Sequence, residues 1–180
     1  MSEELNELKE HAEHAKGDPT LAPVSVTMAI LAVLVAVVSL LGHRAHTEEV
    51  VLQAKASDEW AHYQAKNIRK HTDELFNDLT TVQPTIDAAK LATLRDQYTQ
   101  ESERYKGEMK KLEEDAHEFE AEVKTERGHA DRYDLAEVFL EVGLVITSIT
   151  LLSGRRIFWL LGIVLGAAGI VVAATGFLVH

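Results

Sequence analysis

Two long stretches without a charged side chain frame this chain. Pro19 to Gly42 contains no Asp, Glu, Lys or Arg, and neither does Ile157 to Val179. Between them, His43 to Asp134 carries 14 Lys and Arg against 21 Asp and Glu. A water-soluble globular domain intersperses its charges. Here the overall figures of 46% apolar and 26% charged residues average two separate kinds of segment. Crossing about 30 Å of hydrocarbon takes about 20 apolar residues of helix. Val24 to Gly42 supplies 19 and Ile157 to Val179 supplies 23. The acidic flank before the first, and the His43-Arg44-Ala45-His46 that follows it, do not fit a cleaved signal peptide.

A third span lies between them. Val142 to Gly154 is only 13 residues, roughly 20 Å of helix. Beginning at Leu135 lengthens it to 20 but takes Glu137 and Glu141 into the bilayer. A re-entrant segment is the alternative. The full span, residues 135–154, is preferred because Ser153-Gly154-Arg155-Arg156 is a tight turn into residues 157–179. Two antiparallel helices joined there satisfy their own backbone hydrogen bonds.

Residues 43–134 have helical texture without strand signals. On the outward arm, small or apolar positions fall at Val50, Ala54, Ser57, Ala61, Gln64, Ile68, His71, Leu75, Leu79 and Val82. The return arm offers Leu91, Leu94, Tyr98, Glu101, Tyr105, Met109, Leu112, Ala116, Phe119, Val123, Glu126, Ala130 and Tyr133. Alternating steps of four and three are the coiled-coil period. Doubled steps of four at Leu75–Leu79 and Tyr105–Met109 read as stutters. Pro84 disfavours helix before it, so the first arm should stop near Val82, with the tip at residues 80–86. The arms differ by 11 residues, 38 against 49. This requires either a short extra helix near Ile86–Arg95 or an interrupted return arm, for which Gly107 and Gly128 are the candidates. Residues 1–18 form an acidic tail of net charge −4, read as a helix stopped by Gly17-Asp18-Pro19.

Within lipid, small residues permit close helix packing. Ser25, Ala29, Ala32, Ala36 and Ser39 follow steps of 4, 3, 4 and 3 in residues 19–42. Gly162, Gly166, Gly169, Ala173 and Gly176 repeat the pattern in the last span. Such seams serve packing within one chain or self-association, and two full seams on three helices favour a homo-oligomer. The first continues through His43, His46 and Val50. The return seam enters the membrane through Ala130, Tyr133, Glu137, Leu140 and Leu144.

Glu137 and Glu141 are the most informative side chains. An intramembrane carboxylate is costly and calls for a role. Counted back from Ser153, Glu141 lies about 18 Å and Glu137 about 24 Å along the helix. They form an acidic entrance to a cation pathway in an oligomer, or they are neutral and hydrogen-bonded to Ser39, His43 or Thr175. Scattered histidines lack zinc spacing, although His43 and His46 should lie near His129, Asp131 and Asp134. No metal site and no cofactor are expected. Zero Cys removes thiolate chemistry, and no nucleophile elbow, phosphate loop or dinucleotide motif occurs, so an enzyme is not expected. A net charge of −11 argues against nucleic acid.

Leu8-Lys9-Glu10-His11-Ala12-Glu13-His14-Ala15, Leu21-Ala22-Pro23-Val24-Ser25-Val26-Thr27, Gly42-His43-Arg44-Ala45-His46-Thr47-Glu48-Glu49, and Asp58-Glu59-Trp60-Ala61 with Tyr63-Gln64-Ala65-Lys66 resemble a bacterial domain-of-unknown-function family of small membrane proteins. The Arg155-Arg156 turn with Phe158-Trp159, and Gly176 to His180, fit the same family. The resemblance implies a bacterial membrane protein with three spans, and no activity; the inner membrane is the expected location.

The expectation is therefore an all-α integral membrane protein, with three transmembrane helices plus a long antiparallel coiled-coil helical hairpin. It sits in the lipid bilayer as a non-enzymatic homo-oligomeric scaffold, with room for a protein partner on the stalk. The other reading is a cation channel or ion-sensing assembly with Glu137, Glu141, Ser39 and His43 along its pathway. Lys9, Lys16, Arg155 and Arg156 place the N-terminus in the cytoplasm and the stalk outside.

Overall fold

The computed structural model describes residues 21–82 and 87–178. The acidic tail and most of the tip around Pro84 lie outside the described residues. Three helices make up the rest: α1, Ala22–Val82; α2, Ala88–Ser153; and α3, Arg156–Gly176. All three are long and apolar enough to cross a membrane. Neither Gly107 nor Gly128 interrupts α2, so the expected break in the return arm is absent. Gly154 joins α2 to α3 with φ +66°, a left-handed conformation that suits glycine at a helix end.

The chain divides into two compact units, one comprising residues up to Glu48 and from Thr125 onward, the other Glu49–Lys124. In the first, Leu31, Val38, Ala45, Ala130, Tyr133, Ala136, Leu140 and Ala173 form the core. Trp159 donates its indole N–H to Thr27 Oγ1 at 3.0 Å, tying the start of α3 to that of α1.

The second unit is an antiparallel pair of arms. Trp60 donates to Glu120 (2.9 Å), Lys66 pairs with Glu108, Asn77 donates to Thr99 (3.2 Å), and Arg95 donates to Thr80 (2.8 Å). Thr80 lies two residues from the end of α1, while its partner Arg95 lies seven residues into α2. The unequal arm lengths are thus taken up at the tip.

The facing edge of the outward arm is not the one expected. Val50, Ala54, Ser57, Ala61, Gln64, Ile68, His71, Leu75, Leu79 and Val82 are all exposed. The arm instead turns Leu52, Ala56, Tyr63, Lys66, Lys70, Asp73, Asn77 and Thr80 inward, an unbroken heptad frame without a stutter once Glu59 is counted. Cross-arm hydrogen bonds of Lys66, Asn77 and Thr80 favour this frame, because branched aliphatic side chains at those positions would forfeit them. On the return arm Ser102 is buried in place of Glu101, and with Arg95, which meets Thr80, in place of Leu94 the stutter there disappears too.

Candidate functional site

The apolar unit is built around the glycines of α3. Gly162, Gly166, Gly169, Ala173 and Gly176 are the buried residues of that helix. A Cβ on Gly162 would strike Thr147 Oγ1 and lie 2.8 Å from the Gly143 carbonyl oxygen. One on Gly169 would lie 2.8 Å from Leu140 Cγ and 3.0 Å from the Ala136 oxygen. A Cβ on Gly143 would in turn meet the Gly162 oxygen at 3.0 Å. The α2–α3 contact is therefore backbone against backbone. Gly166 instead receives Leu31 from α1, whose Cδ2 would sit 2.5 Å from an added Cβ, and Gly176 receives the ring of Tyr133.

This arrangement corrects the packing frame of α1. Ser25, Ala29, Ala32, Ala36 and Ser39 do not carry the packing within the chain. Ala29 and Ala36 are exposed, and the other three are only partly covered. The buried residues are Val24, Met28, Leu31 and Val38, one position away. Close packing gives the reason: a glycine face offers holes, and holes need large knobs. Two small-residue faces set together would leave voids.

The frame of α2 also shifts. Ala130, Tyr133, Ala136, Leu140, Gly143, Thr147 and Thr150 are buried, so Ala136 takes the place expected for Glu137, and Gly143 that of Leu144. Two successive steps of three rotate the helix so that its smallest residues meet α3. Glu137 is consequently half-buried and Glu141 exposed. Neither has a hydrogen-bond or ion-pair partner among the described residues. Of their expected neighbours, Thr175 commits its hydroxyl to the Val172 carbonyl, donating at 2.6 Å. Among the described residues, no hydrogen bond or ion pair joins Glu137, Glu141, Ser39 and His43 to one another.

At the other end of α1 in this unit, His46 Nε2 lies 3.1 Å from Asp134 Oδ2. Gly42 admits that carboxylate: a Cβ there would lie 3.3 Å from Asp134 Oδ1. His129 pairs with Glu126 at 3.3 Å. Among the described residues no three His, Asp or Glu converge as a metal would require.

Residues 20–179 match the family described as a domain of unknown function, DUF4337. The chain belongs to the DUF4337 family. No curated protein and no solved structure matches it.

The hairpin of this DUF4337 member carries features that hydrophobic patterning passes over. Trp60 packs edge-on against Tyr63 and His117, with centroids 5.6 and 5.3 Å apart. The Trp60 N–H, aided by His117, holds Glu120 below the ordinary carboxylate range. A hydrogen bond from Lys66 does the same for Glu108. Asp73 is different. It is only 8% exposed, and its Oδ2, like Asn77 Oδ1, has no hydrogen-bond partner. Burial, reinforced by Glu101, raises its pKa.

The sign follows directly. The folded hairpin disfavours the Asp73 carboxylate relative to the unfolded chain, so the penalty is absent below the unfolded pKa. It grows as pH rises and is complete above the folded value. Asp73→Leu should therefore stabilise this DUF4337 protein by about 1–3 kcal/mol at pH 7, the cost of one unpartnered buried polar group. The gain should shrink as pH falls below about 4, where the carboxyl is neutral in both states and only the burial of a polar group remains. Thermal melting followed by circular dichroism at both pH values tests this, and equal stability at neutral pH refutes it.

Proposed function

We propose that this protein is a membrane-embedded, non-enzymatic scaffold that self-associates through α1. The observation that carries the reading is the unpartnered outer edge of that helix. Ile68, Leu75, Leu79 and Val82 are 67%, 57%, 49% and 76% exposed in the hairpin unit, at steps of seven, four and three. Apolar residues at this spacing are a coiled-coil seam, and a soluble hairpin gains nothing from wetting them. In the same frame, the apolar unit offers Ala29 and Ala36, flanked by Ser25, Ala32 and Ser39. Within each unit, then, α1 presents an exposed edge: small residues where lipid would surround it and aliphatic ones where water would. Each suits helix association in its own solvent. The second copy of the chain is the occupant that has a matching edge in both.

In this reading the three apolar helices cross a bacterial inner membrane. The Arg155–Arg156 turn is cytoplasmic, and the highly charged residues 49–124 lie outside. The absence of native cysteine gives a clean test. Ile68→Cys and Leu75→Cys should form disulfide-linked dimers in membranes, whereas Glu113→Cys on the exposed face of α2 should not. A membrane-impermeant maleimide added to intact cells should label all three under reducing conditions. Equal crosslinking at all three sites rejects the α1 seam, and protection from the maleimide reverses the orientation.

A second reading is a cation pathway bounded by Glu137 and Glu141. It is favoured by the exposure of Glu141 and by the lack of an intrachain partner for either carboxylate. A charge facing lipid is costly, and a hydrated pathway formed by self-association would relieve that cost.

A further inference from the structure

An open groove of about 540 Å³ lies between α1 and α2 where the charge-free segment of α1 ends. Along its α1 wall, Leu40, Arg44 and Glu48 succeed one another at steps of four, on one helix face. Along its α2 wall the order is Tyr133, His129 and Glu126, since this helix runs the other way. Both walls therefore read the same from the apolar end outward: an apolar or aromatic group, then a basic group, then a carboxylate. On the α2 wall the base and acid already pair, His129 with Glu126. On the α1 wall they do not. Arg44 and Glu48 have the spacing of a helical ion pair, yet neither has a partner among the described residues.

The geometry points to a binding site for one molecule of an aminophospholipid, a glycerophospholipid whose phosphate is followed by a primary ammonium. It rests on the membrane reading above. Acyl chains would lie against Leu40, the phosphate would take the Arg44 guanidinium, and the ammonium would donate to the Glu48 carboxylate one turn further out. Arginine's planar fork suits phosphate oxygens. The unpaired carboxylate is what selects among lipids. A glycerol headgroup has no cation to offer it, and a trimethylated one has no N–H to donate. Interfacial location is supported by the order of residues on α1: Leu40 lies inside the charge-free segment that ends at Gly42, and Arg44 is the first charged residue beyond it. A purely anionic lipid fits less well, because Glu48 and Glu126 both line the groove.

The test uses the full chain, purified in detergent and stripped of lipid. Short-chain phosphatidylethanolamine, phosphatidylglycerol and phosphatidylcholine are titrated separately, with binding read by native mass spectrometry and thermal shift. Free phosphoethanolamine forms a fourth arm. Phosphatidylethanolamine should bind at least about tenfold more tightly than the other two lipids, and phosphoethanolamine at least about tenfold more weakly than the intact lipid. Arg44→Gln should lose that binding about tenfold, and Arg44→Lys should restore much of it. Glu48→Gln should retain binding but abolish the preference over phosphatidylcholine. Equal binding of all three lipids, or an unaffected Arg44→Gln, overturns the proposal. Phosphoethanolamine binding as tightly as the lipid would overturn the lipid assignment. Carbonate extraction of the same membranes separates the two levels: protein that stays in the pellet without lipid selectivity refutes only this site, whereas extracted protein refutes membrane insertion itself.

Discussion

Replacing Gly162 with leucine is expected to detach α3 from α2 and to produce the largest loss of stability among single changes in the apolar unit. Ordinary overpacking costs about 1–3 kcal/mol, because neighbouring side chains can shift. Here the obstacle is in part backbone: the first carbon of a side chain would already lie 2.8 Å from the Gly143 carbonyl oxygen, besides striking Thr147 Oγ1. Thr147 cannot turn away cheaply, since its hydroxyl is buried and donates to that same carbonyl at 2.7 Å. The cost should therefore exceed about 3 kcal/mol. Gly166→Ala provides the comparison. Its new methyl would meet Leu31 Cδ2, the far end of a flexible side chain, so it should cost distinctly less. Thermal melting in detergent ranks the two. Trp159 reports the local event, because separating α3 breaks its bond to Thr27 and should change its emission. A Gly162→Leu protein that melts with the wild type would show that these backbones do not meet.

The contrast between the two glycines also shows how far the sequence could be read. Charge segregation and apolar length are properties of whole segments, so three helices of membrane-crossing length and a helical hairpin were legible without coordinates. The Ser153–Arg156 turn was legible because glycine and helix-stop chemistry are local. Rotation of a helix about its own axis is not local. In α1 two frames compete, one through Leu52, Ala56 and Asp73, the other through Ile68, Leu75 and Leu79. Counting aliphatic residues selects the second. The fold uses the first, since Asn77, Thr80 and Lys66 find hydrogen-bond partners across the hairpin. A pattern rule that weighs only hydrophobicity does not register those partners. The frame of α2 turned on a similar point. Glu137 and Ala136 differ by one position, and what decided between them was the approach of Gly169, a contact 33 residues away. The candidate site inherited that uncertainty: the carboxylates could be named from sequence, but which way they face depends on a glycine in another helix. The groove beside Arg44 escaped notice for the same reason, because its two walls lie far apart along the chain.

Replacing Glu141 with leucine should raise the melting temperature and leave ion flux unchanged at zero. The residue lies within the apolar segment 135–154, is exposed on the single chain, and has no described partner. A carboxyl group that deep costs about 2.5 kcal/mol or more when lipid surrounds it. Its side chain is short and tilts back along α2 toward Glu137, so it cannot reach water as lysine would. In a scaffold nothing repays that cost, and an aliphatic side chain at the same position would recover up to about 2.5 kcal/mol. Were a hydrated pathway present, the charge would be solvated there and needed there. Leucine would then give little stabilisation and would abolish conduction. Measuring melting temperature and cation flux in liposomes on the same two proteins separates the cases. Flux through the wild type that disappears in Glu141→Leu would replace the scaffold with the cation pathway. A more stable variant, with no flux through either protein, would leave the exposed seam of α1 as the feature that defines what this chain does.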